Sequence, residues 1–289
     1  MTTVAIAGGT GKTGGRLAER LGARFAVRRL GSGTNLLSLS SAEAALAGAQ
    51  VGVYLARATR SPYRLTQAKQ ADLELLMADS FARAAARCGV RRILVWRCGA
   101  DDERLVPLAA AGVPLTVVDS AEELEAALQS ESEPEPSSRS DALLAPQPGA
   151  DPGVCSLQRL PLPAGWTAEQ ATRAYFEWVA AHLPGVSAVC TGDAWTLRAF
   201  GAPMLCLSLI RGRSTRDCAV LSTGGGWLEG AFAGKGHFEF RIVPTPAGPA
   251  LFTNLIGFVP ALPLLLYRLT QAPFHAWVMA RFGRWLATK

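Results

Sequence analysis

The sequence has 289 residues, 49% of them apolar, a composition that suits a packed core and leaves room for two domains. Its net charge of +6 is spread over both halves as arginines and forms no basic tract, which argues against nucleic-acid binding. The six cysteines stand singly, without a CxxC motif or a Cys/His cluster, so neither a metal site nor a disulfide framework is expected.

The first predicted strand begins at Val4, which leaves no room for the charged and apolar regions of a signal peptide. Single cysteines also fit a compartment that keeps thiols reduced. We therefore expect a cytoplasmic protein.

The stretch VAIAGGTGKTGGRLAERL runs from an apolar strand, Val4–Ala7, through a glycine-rich turn into helical spacing. The letters GKT match the end of a P-loop, but Ile6 stands where a P-loop needs its first glycine. Gly8, Gly11 and Gly14 instead stand at three-residue intervals, which favours the pyrophosphate of a dinucleotide at the helix N-terminus. The alternative is an ordinary tight turn, which also uses glycine.

With Thr10 before the second glycine, this spacing resembles the TGxxGxxG signature of the short-chain dehydrogenase/reductase superfamily, in particular its atypical, NmrA-like branch. The resemblance implies an NADP or NAD cofactor, with Lys12 near the loop surface and not on the phosphate. The cofactor-binding residues that it implies in this turn are Gly8, Thr10, Gly11, Lys12, Thr13 and Gly14.

Paired arginines close the second predicted strand, Arg24–Leu30. In a dinucleotide-binding fold this strand end faces the adenosine ribose, where arginine attracts the extra phosphate of NADP. Arg28 and Arg29 therefore favour NADP over NAD. The alternative for either one is a solvated charge, because alternate residues of a strand point opposite ways.

The first half continues as alternating helices and strands. Apolar patterns predict a small helix in Ser38–Gln50, a buried strand at Val51–Ala56, a long helix over Leu65–Cys88 and a buried strand at Ile93–Trp96. One more helix and strand follow, so we expect an α/β fold with a Rossmann-like, doubly wound parallel sheet. The resemblance covers Thr3 to Asp119, and it implies that Ala56 and Arg57 pass over the cofactor.

The catalytic pair of the superfamily is missing. Its enzymes use a tyrosine with a lysine four residues later, which lowers the phenol pKa and holds the nicotinamide ribose. None of the four tyrosines has that partner, and Tyr63 and Lys69 stand six residues apart. Cys98 could act as a nucleophile, but no histidine lies near it in the sequence. Whether the protein is an enzyme stays open, and no catalytic residue is assigned.

Composition changes over residues 129–152, which are rich in Ser, Pro and Glu and almost free of large apolar groups. We expect a flexible linker there, between an NAD(P)-binding domain at 1–128 and a second domain at 153–289. In the second domain, Thr167–Leu183 predicts a capped amphipathic helix. Short runs at hairpin spacing then predict an antiparallel sheet, and the runs are DAWTLRAF, PMLCLSLI, RDCAVLS, GWLEGAF, GHFEFRIV and PALFTNLIGF.

The chain closes with an apolar stretch that leads into a basic helix. A membrane span over Ala250–Tyr267 is one alternative, weakened by Asn254 and two prolines. Peripheral membrane contact is another, through the aromatic and basic side chains Phe274, Trp277, Phe282, Trp285, Arg281, Arg284 and Lys289. A helix packed on the sheet is the favoured interpretation.

The second domain resembles the START-like, helix-grip fold, an α+β arrangement in which a long helix closes over a ligand cavity. The stretches FEFRIVPTPAGPALFTNLIGFVP and LYRLTQAPFHAWVM also resemble a bacterial domain of unassigned function that is fused behind NmrA-like domains. The shared feature is a tyrosine followed by P-x-H, here Tyr267, Pro273 and His275. The resemblance makes Tyr267 and His275 candidate residues of a ligand cavity.

Three functions remain open at this point. The first is an NAD(P)-dependent oxidoreductase that lacks the Tyr-x-x-x-Lys pair, and the second is a non-catalytic NADP(H) sensor. The third is a carrier of an apolar small molecule through the second domain. Each takes a small-molecule ligand or substrate, and the oligomeric state is not predicted.

Overall fold

The computed structural model of the chain describes residues 1–31, 34–58, 64–129, 153–230 and 236–289, which fall into two compact units. The strands, numbered in chain order, are β1 (Thr3–Ala7), β2 (Ala26–Leu30), β3 (Val51–Tyr54), β4 (Arg64–Gln67), β5 (Arg92–Trp96), β6 (Leu115–Val118), β7 (Val154–Leu160), β8 (Val186–Thr191), β9 (Ala194–Ala199), β10 (Ala202–Leu209), β11 (Cys218–Thr223), β12 (His237–Val243) and β13 (Ala250–Phe258). The helices are α1 (Lys12–Leu21), α2 (Leu39–Leu46), α3 (Gln70–Arg87), α4 (Leu105–Ala110), α5 (Ala121–Gln129), α6 (Ala168–His182), α7 (Leu264–Leu269) and α8 (Gln271–Leu286).

The first unit contains a parallel five-stranded sheet in the order β2-β1-β3-β5-β6. Alternate residues of β1 enter two separate cores: Val4 and Ile6 pack with α1 and α5, whereas Ala5 and Ala7 pack with α2 and α3. Helices on both faces make this a Rossmann-like, doubly wound sheet, as predicted. The chain proceeds to one side of β1 through β2 and then to the other through β3, so the topological switch lies between β1 and β3.

The second unit contains a separate eight-stranded sheet in the order β4-β7-β13-β12-β11-β10-β9-β8. All its strand pairs are antiparallel except β4 with β7. Helices α6 and α8 pack on one face of the sheet, around Tyr175, Phe238, Phe240 and Phe282. The predicted threonine cap is present, because Thr167 Oγ1 accepts from the N–H of Gln170 at 3.2 Å in a capping box.

Several boundaries differ from those predicted. The long helix expected from Leu65 begins only at Gln70, and the residues before it form β4 in the second sheet, which the predicted domain boundary assigned to the first domain. The run GWLEGAF forms no strand in its described part, where Glu229 makes only an isolated bridge to Pro260. Strands β7 and β8 were not predicted.

The predicted linker lies outside the described residues except for Gln129, which ends α5. Tyr63 also lies outside them. Part of the alternative membrane segment forms strand β13, and none of the described helices combines the length and apolar character that a membrane crossing requires.

Candidate functional site

The glycine-rich loop lies at the carboxyl end of β1, beside the switch in strand order. Gly8 has φ +85°, and its N–H donates to Leu30 O at 3.1 Å, which joins the ends of β1 and β2. The N–H groups of Gly9 and Gly11 donate to Ile6 O and Gly8 O, each at 3.1 Å. These hydrogen bonds form a tight turn between the end of β1 and the start of α1. In open α/β sheets, ligands bind at such turns, outside the carboxyl ends of the strands.

Two of the glycines are required by close backbone approach. A Cβ on Gly14 would lie 2.2 Å from Gly8 O, and a Cβ on Gly8 would lie 3.0 Å from the carbonyl carbon of Leu55. Helix α1 therefore packs directly on the loop, and the loop packs directly on the chain that follows β3. Gly11 differs, because a Cβ there would meet only Gly8 O at 3.3 Å.

The N-terminus of α1 is exposed and carries no competing negative charge. Gly11 is its N-cap and supplies no side-chain acceptor, and its first turn contains no acidic residue. Thr10, Lys12 and Thr13 are exposed beside it. A helix start of this kind offers backbone N–H donors and the positive end of the helix dipole to an anion.

The two arginines of β2 have different surroundings. Arg28 Nη1 donates to Ala45 O at 2.9 Å and to Ala47 O at 2.7 Å, at the end of α2. Arg29 points to the α1 side, where its only ion pair among the described residues is a 4.0 Å contact with Glu19. The structure thus engages Arg28 at the end of a helix, whereas the Arg29 guanidinium is exposed and only weakly paired, and the Arg29 Cα and Cβ lie beside Gly9.

The end of β2 also contacts the loop through Thr10. A Cβ on Gly31 would lie 2.2 Å from the Thr10 methyl group, so the Thr10 side chain packs directly on the residue that follows β2. Thr10 thereby links the glycine-rich turn to the end of β2, the strand end at which a ribose lies in dinucleotide-binding folds.

The chain after β3 forms the other wall of the site. Leu55 N–H donates to Ala7 O at 2.9 Å, and Ala56 is buried. Arg57 is exposed, and its Nε lies 3.1 Å from Glu74 Oε1 on α3. Ala56 and Arg57 were expected to pass over the cofactor. Only backbone atoms of Ala56 are suited to contact a ligand, because its side chain is buried, and the Arg57 guanidinium is already paired with Glu74.

A buried ion pair that the sequence did not predict holds this wall in place. Arg104 Nη2 lies 2.5 Å from Asp102 Oδ2, and both side chains are almost fully buried. The Arg104 guanidinium also donates to Ala56 O at 3.0 Å and to Trp96 O at 3.3 Å. Arg104 therefore connects the carboxyl ends of β3 and β5.

Electrostatics keep Asp102 ionised in this position. Burial raises the pKa of Asp102, but hydrogen bonds from the Arg104 guanidinium and from the Cys98 N–H outweigh it, and the pKa is held below its usual value. The same pairing raises the pKa of Arg104 although its burial lowers it. The pair is charged throughout the physiological range.

Tyr54, at the end of β3, lies beside this wall. It is fully buried, its hydroxyl has no hydrogen-bond partner among the described residues, and Arg104 Cζ lies 5.7 Å from its ring centroid. Burial raises the pKa of Tyr54 well above its usual value. This phenol is unsuited to act as the acid or base that the missing Tyr-x-x-x-Lys pair would supply.

The second unit contains a cluster of neutral polar side chains under α8, which we call the polar cluster. Its members are Gln67 of β4, Ser156 and Gln158 of β7, Thr253 of β13 and His275 of α8.

Hydrogen bonds connect the members of the polar cluster. Gln158 Nε2 donates to Gln67 Oε1 at 2.8 Å and to Ser156 Oγ at 2.6 Å, and Ser156 Oγ lies 3.4 Å from His275 Nδ1. Gln67 also donates to the carbonyl of Ala272 on α8. Burial lowers the pKa of His275 to about 4, so the imidazole is neutral at pH 7.

Tyr267 belongs to a different environment. It packs with Val154, Phe258 and Ala272 in an apolar cluster, and burial raises its pKa to about 12. No hydrogen bond among the described residues joins it to His275. The structure thus places the two candidate cavity residues in neighbouring elements but in separate clusters.

The sequence matches no protein-family model and no curated protein. Among solved structures, a mutated uronate dehydrogenase has 17% sequence identity and a TM-score of 0.28, with 34% of this chain and 40% of that chain covered. A Rossmann-fold NAD(P)-binding family protein from Shigella flexneri has 16% identity and a TM-score of 0.30, with 40% and 66% covered. Triphenylmethane reductase from Citrobacter sp., complexed with NADP(H), has 16% identity and a TM-score of 0.29, with 40% and 48% covered.

This chain therefore spans less than half of the uronate dehydrogenase and of the triphenylmethane reductase. At these identities and scores the likeness concerns the fold alone. It adds nothing to the site geometry described above.

Proposed function

We propose that the first unit binds NADP(H), or NAD(H), as an atypical short-chain dehydrogenase/reductase-like protein. The observation that carries the proposal is the close packing of Gly8 and Gly14, which seats α1 on the switch between β1 and β3 and leaves its N-terminus open. The turn at Gly11 is exposed, and the helix start would supply backbone N–H donors for a pyrophosphate.

The residues around the loop fit such a cofactor. Gly8, Gly11 and Gly14 would allow the backbone to approach the pyrophosphate, with Thr10, Lys12 and Thr13 beside it. Arg29 would interact with the 2′-phosphate of NADP, since it is exposed and only weakly paired. A bound nicotinamide cofactor would supply hydride-transfer chemistry.

The side chains that follow β3 and β5 are better suited to binding a cofactor than to transferring a proton. Arg57 is paired with Glu74, Arg104 is paired with Asp102, and the Tyr54 phenol is buried with a raised pKa. Arg104 holds backbone carbonyls in position, and none of the three side chains is poised to exchange a proton. The arrangement suits a reduction that needs little acid help, or a sensor that binds the nucleotide without turning it over.

A charge placed at Gly11 tests the proposal. Gly11→Asp introduces a side chain that can cap α1, because Gly11 has the extended conformation of a helix cap and a Cβ there would meet only Gly8 O, which needs to shift by a few tenths of an ångström. Its carboxylate would repel a pyrophosphate. Gly11→Asn has nearly the same shape and capping ability without the charge.

Calorimetric titration of both variants with NADPH and NADH provides the measurement. We expect Gly11→Asn to retain binding and Gly11→Asp to weaken it at least tenfold, with unfolding temperatures that match. Equal affinities in the two variants, or no binding by the unmodified chain, would overturn the proposal. If binding is found, turnover with quinones, enones and aldehydes separates an oxidoreductase from a sensor.

A second candidate function belongs to the second unit. We infer that the polar cluster contributes to the binding of a small, largely apolar molecule with one neutral polar group, as the resemblance to the helix-grip fold implies. The support is a set of uncharged donors and acceptors in contact with the aromatic core, where His275 lies 6.3 Å from the Phe238 ring. Mass spectrometry of protein purified under native conditions should then reveal a bound organic molecule, which His275→Leu should lose.

A further inference from the structure

The second unit exposes large apolar side chains in one short part of the chain. Of the twelve exposed large hydrophobic side chains among the described residues, six lie between Leu262 and Trp277. Leu265 and Leu269 of α7 are 69% and 67% exposed, and Phe274 and Trp277 of α8 are 52% and 44% exposed. Isolated exposed hydrophobic residues are ordinary, but a concentration of this kind marks an interaction surface.

Helix α8 has two distinct faces. Its buried residues are Ala272, Val278, Met279, Phe282, Gly283 and Leu286, which pack toward the sheet. Phe274, Trp277, Arg281 and Arg284 follow at helical intervals on the opposite face. Phe282, which the sequence analysis named among the side chains of the peripheral-contact alternative, belongs to the core.

The exposed face is an ordered aromatic and cationic surface. The rings of Phe274 and Trp277 stack with centroids 5.8 Å apart, and Arg281 Cζ lies 5.0 Å from the Trp277 centroid. Arginine can keep its guanidinium at a polar boundary while its methylene groups lie along apolar surface. Tryptophan and arginine together are typical of a membrane interface.

The exposed charged residues in this part of the chain have one sign. None of the residues from Phe240 to Lys289 is Asp or Glu, whereas Arg268, Arg281, Arg284 and Lys289 are all exposed. An anionic lipid surface complements such a patch in both charge and polarity. A second copy of the chain does not, because a twofold contact would bring the same cations against themselves.

We propose that the exposed faces of α7 and α8 dock this protein peripherally on anionic membranes. Apolar side chains of both helices enter the headgroup boundary, and the flanking arginines contact lipid phosphates. This surface belongs to the second unit and the glycine-rich loop to the first, so the proposal does not depend on nucleotide binding.

Sedimentation of the full chain with lipid vesicles tests this proposal. We expect the protein to sediment with vesicles of equal parts phosphatidylglycerol and phosphatidylcholine at low salt, and at least fivefold less with pure phosphatidylcholine. Raising the salt concentration should release it, because exposed charges are screened.

Two double variants divide the surface into its parts. Phe274→Ser with Trp277→Ser removes the apolar anchor, and Arg281→Gln with Arg284→Gln removes the cations, so each should reduce vesicle binding at least fivefold. Trp227→Ser is the matched control, since Trp227 is 54% exposed elsewhere in the second unit. Unchanged unfolding temperatures would show that the variants are folded.

Three results would overturn the proposal. In the first, the protein sediments with neither kind of vesicle. In the second, the variants and the unmodified chain sediment equally. In the third, no form binds vesicles, and Phe274→Ser with Trp277→Ser converts an oligomer into a monomer. Light scattering after size exclusion identifies the last of these, which would assign the surface to protein association.

Discussion

At the residue scale, the adjacent arginines of β2, Arg28 and Arg29, make different contacts. Arg28 donates to two carbonyls at the end of α2. Arg29 lies on the opposite face of the strand, where its guanidinium is 4.0 Å from the Glu19 carboxylate. The sequence presented the two as equivalent candidates for the NADP phosphate. The alternation of strand side chains separates them.

We therefore expect Arg29→Ala to reduce the preference for NADPH over NADH about tenfold, because it removes a charge next to the proposed phosphate position. Arg28→Ala should leave that preference unchanged and lower the free energy of unfolding by about 1 kcal/mol, since it removes hydrogen bonds from a helix end. Titration with both cofactors and urea unfolding give the two quantities. The reverse pattern would assign the phosphate to Arg28.

Arg104 shows which residues a local pattern cannot reveal. Two of its acceptors are the backbone carbonyls of Ala56 and Trp96, and backbone atoms leave no signature in a sequence. No motif singled out Arg104 in the sequence, yet it is among the most buried charged residues of the first unit. The glycines of the loop were predictable because their role is steric and local.

We expect Arg104→Met to lower the free energy of unfolding by about 3–5 kcal/mol, because it leaves the Asp102 carboxylate buried without its partner. Arg57→Met removes an exposed ion pair with Glu74 and should cost less than about 1 kcal/mol. Urea unfolding at pH 7 measures both. Equal decreases in the free energy of unfolding for the two variants would mean that the Arg104–Asp102 pair does not stabilise the chain segments after β3 and β5.

The same pair predicts a dependence on acid. The pKa of Asp102 is lowered in the folded chain, so its pairing stabilises the fold above the unfolded value of about 4. That contribution is lost as the pH falls through the lowered pKa. The stability difference between the unmodified chain and Arg104→Met should therefore shrink in strong acid, and a constant difference would contradict it.

At the scale of elements, the polar cluster joins three strands to one helix. Gln67 of β4, Ser156 of β7 and His275 of α8 make hydrogen bonds that connect those elements directly. The sequence singled out His275 through a family resemblance, but it gave no indication of its partners. Ser156 and Gln67 lie far from His275 in the chain, and both precede it by more than a hundred residues.

His275 makes this junction sensitive to pH. A histidine in the unfolded chain has a pKa near 6.5, whereas burial lowers that of His275 to about 4. Between these values the unfolded chain binds a proton that the folded chain does not, so stability falls as the pH is lowered through this window. Above pH 6.5 the folded chain keeps its full stability.

We expect the unmodified chain to lose about 1–2 kcal/mol more than His275→Gln between pH 7 and pH 5 in urea unfolding. His182→Gln is the control, because His182 lies at the end of α6 and contacts a backbone carbonyl of its own helix. If His275→Gln and the unmodified chain show the same pH dependence, then the imidazole is accessible to protons in the folded state.

Strand β4 was the main error in predicting elements. Its four residues read RLTQ, and apolar residues at helical intervals continue beyond it through Leu73 and Leu76, so the helical pattern seemed to start early. The pairing partner is β7, which directly follows the predicted linker and was itself missed. Long helices and buried central strands have local patterns, whereas a short edge strand depends on a partner elsewhere in the chain.

At the scale of the whole molecule, the two units are interleaved in sequence. Strand β4 comes between β3 and α3, which belong to the first unit, yet it completes the edge of the second sheet. A cut within residues 129–152 therefore does not yield two complete units. The domain borders were predicted from composition, and composition does not show that β4 pairs with a strand of the second unit.

We expect a fragment of residues 153–289 to be less stable than the same fragment with residues 64–69 joined to its N-terminus. The joining segment needs about a dozen residues or more, because β4 and β7 are parallel and the chain must cross back between them. Thermal unfolding and light scattering of the two fragments make the comparison. Equal stability and solubility would show that β4 is dispensable for the second sheet.

Strand β4 also has a consequence for synthesis on the ribosome. Thr66 and its backbone acceptor on Cys155 are 89 residues apart. At about 5–20 residues per second, β4 waits roughly 5–20 s for its partner, and the last two strands of the first sheet, β5 and β6, are synthesised during that wait. A strand of four mostly polar residues tolerates that wait well, since it offers little apolar surface to a chaperone or to a neighbouring nascent chain.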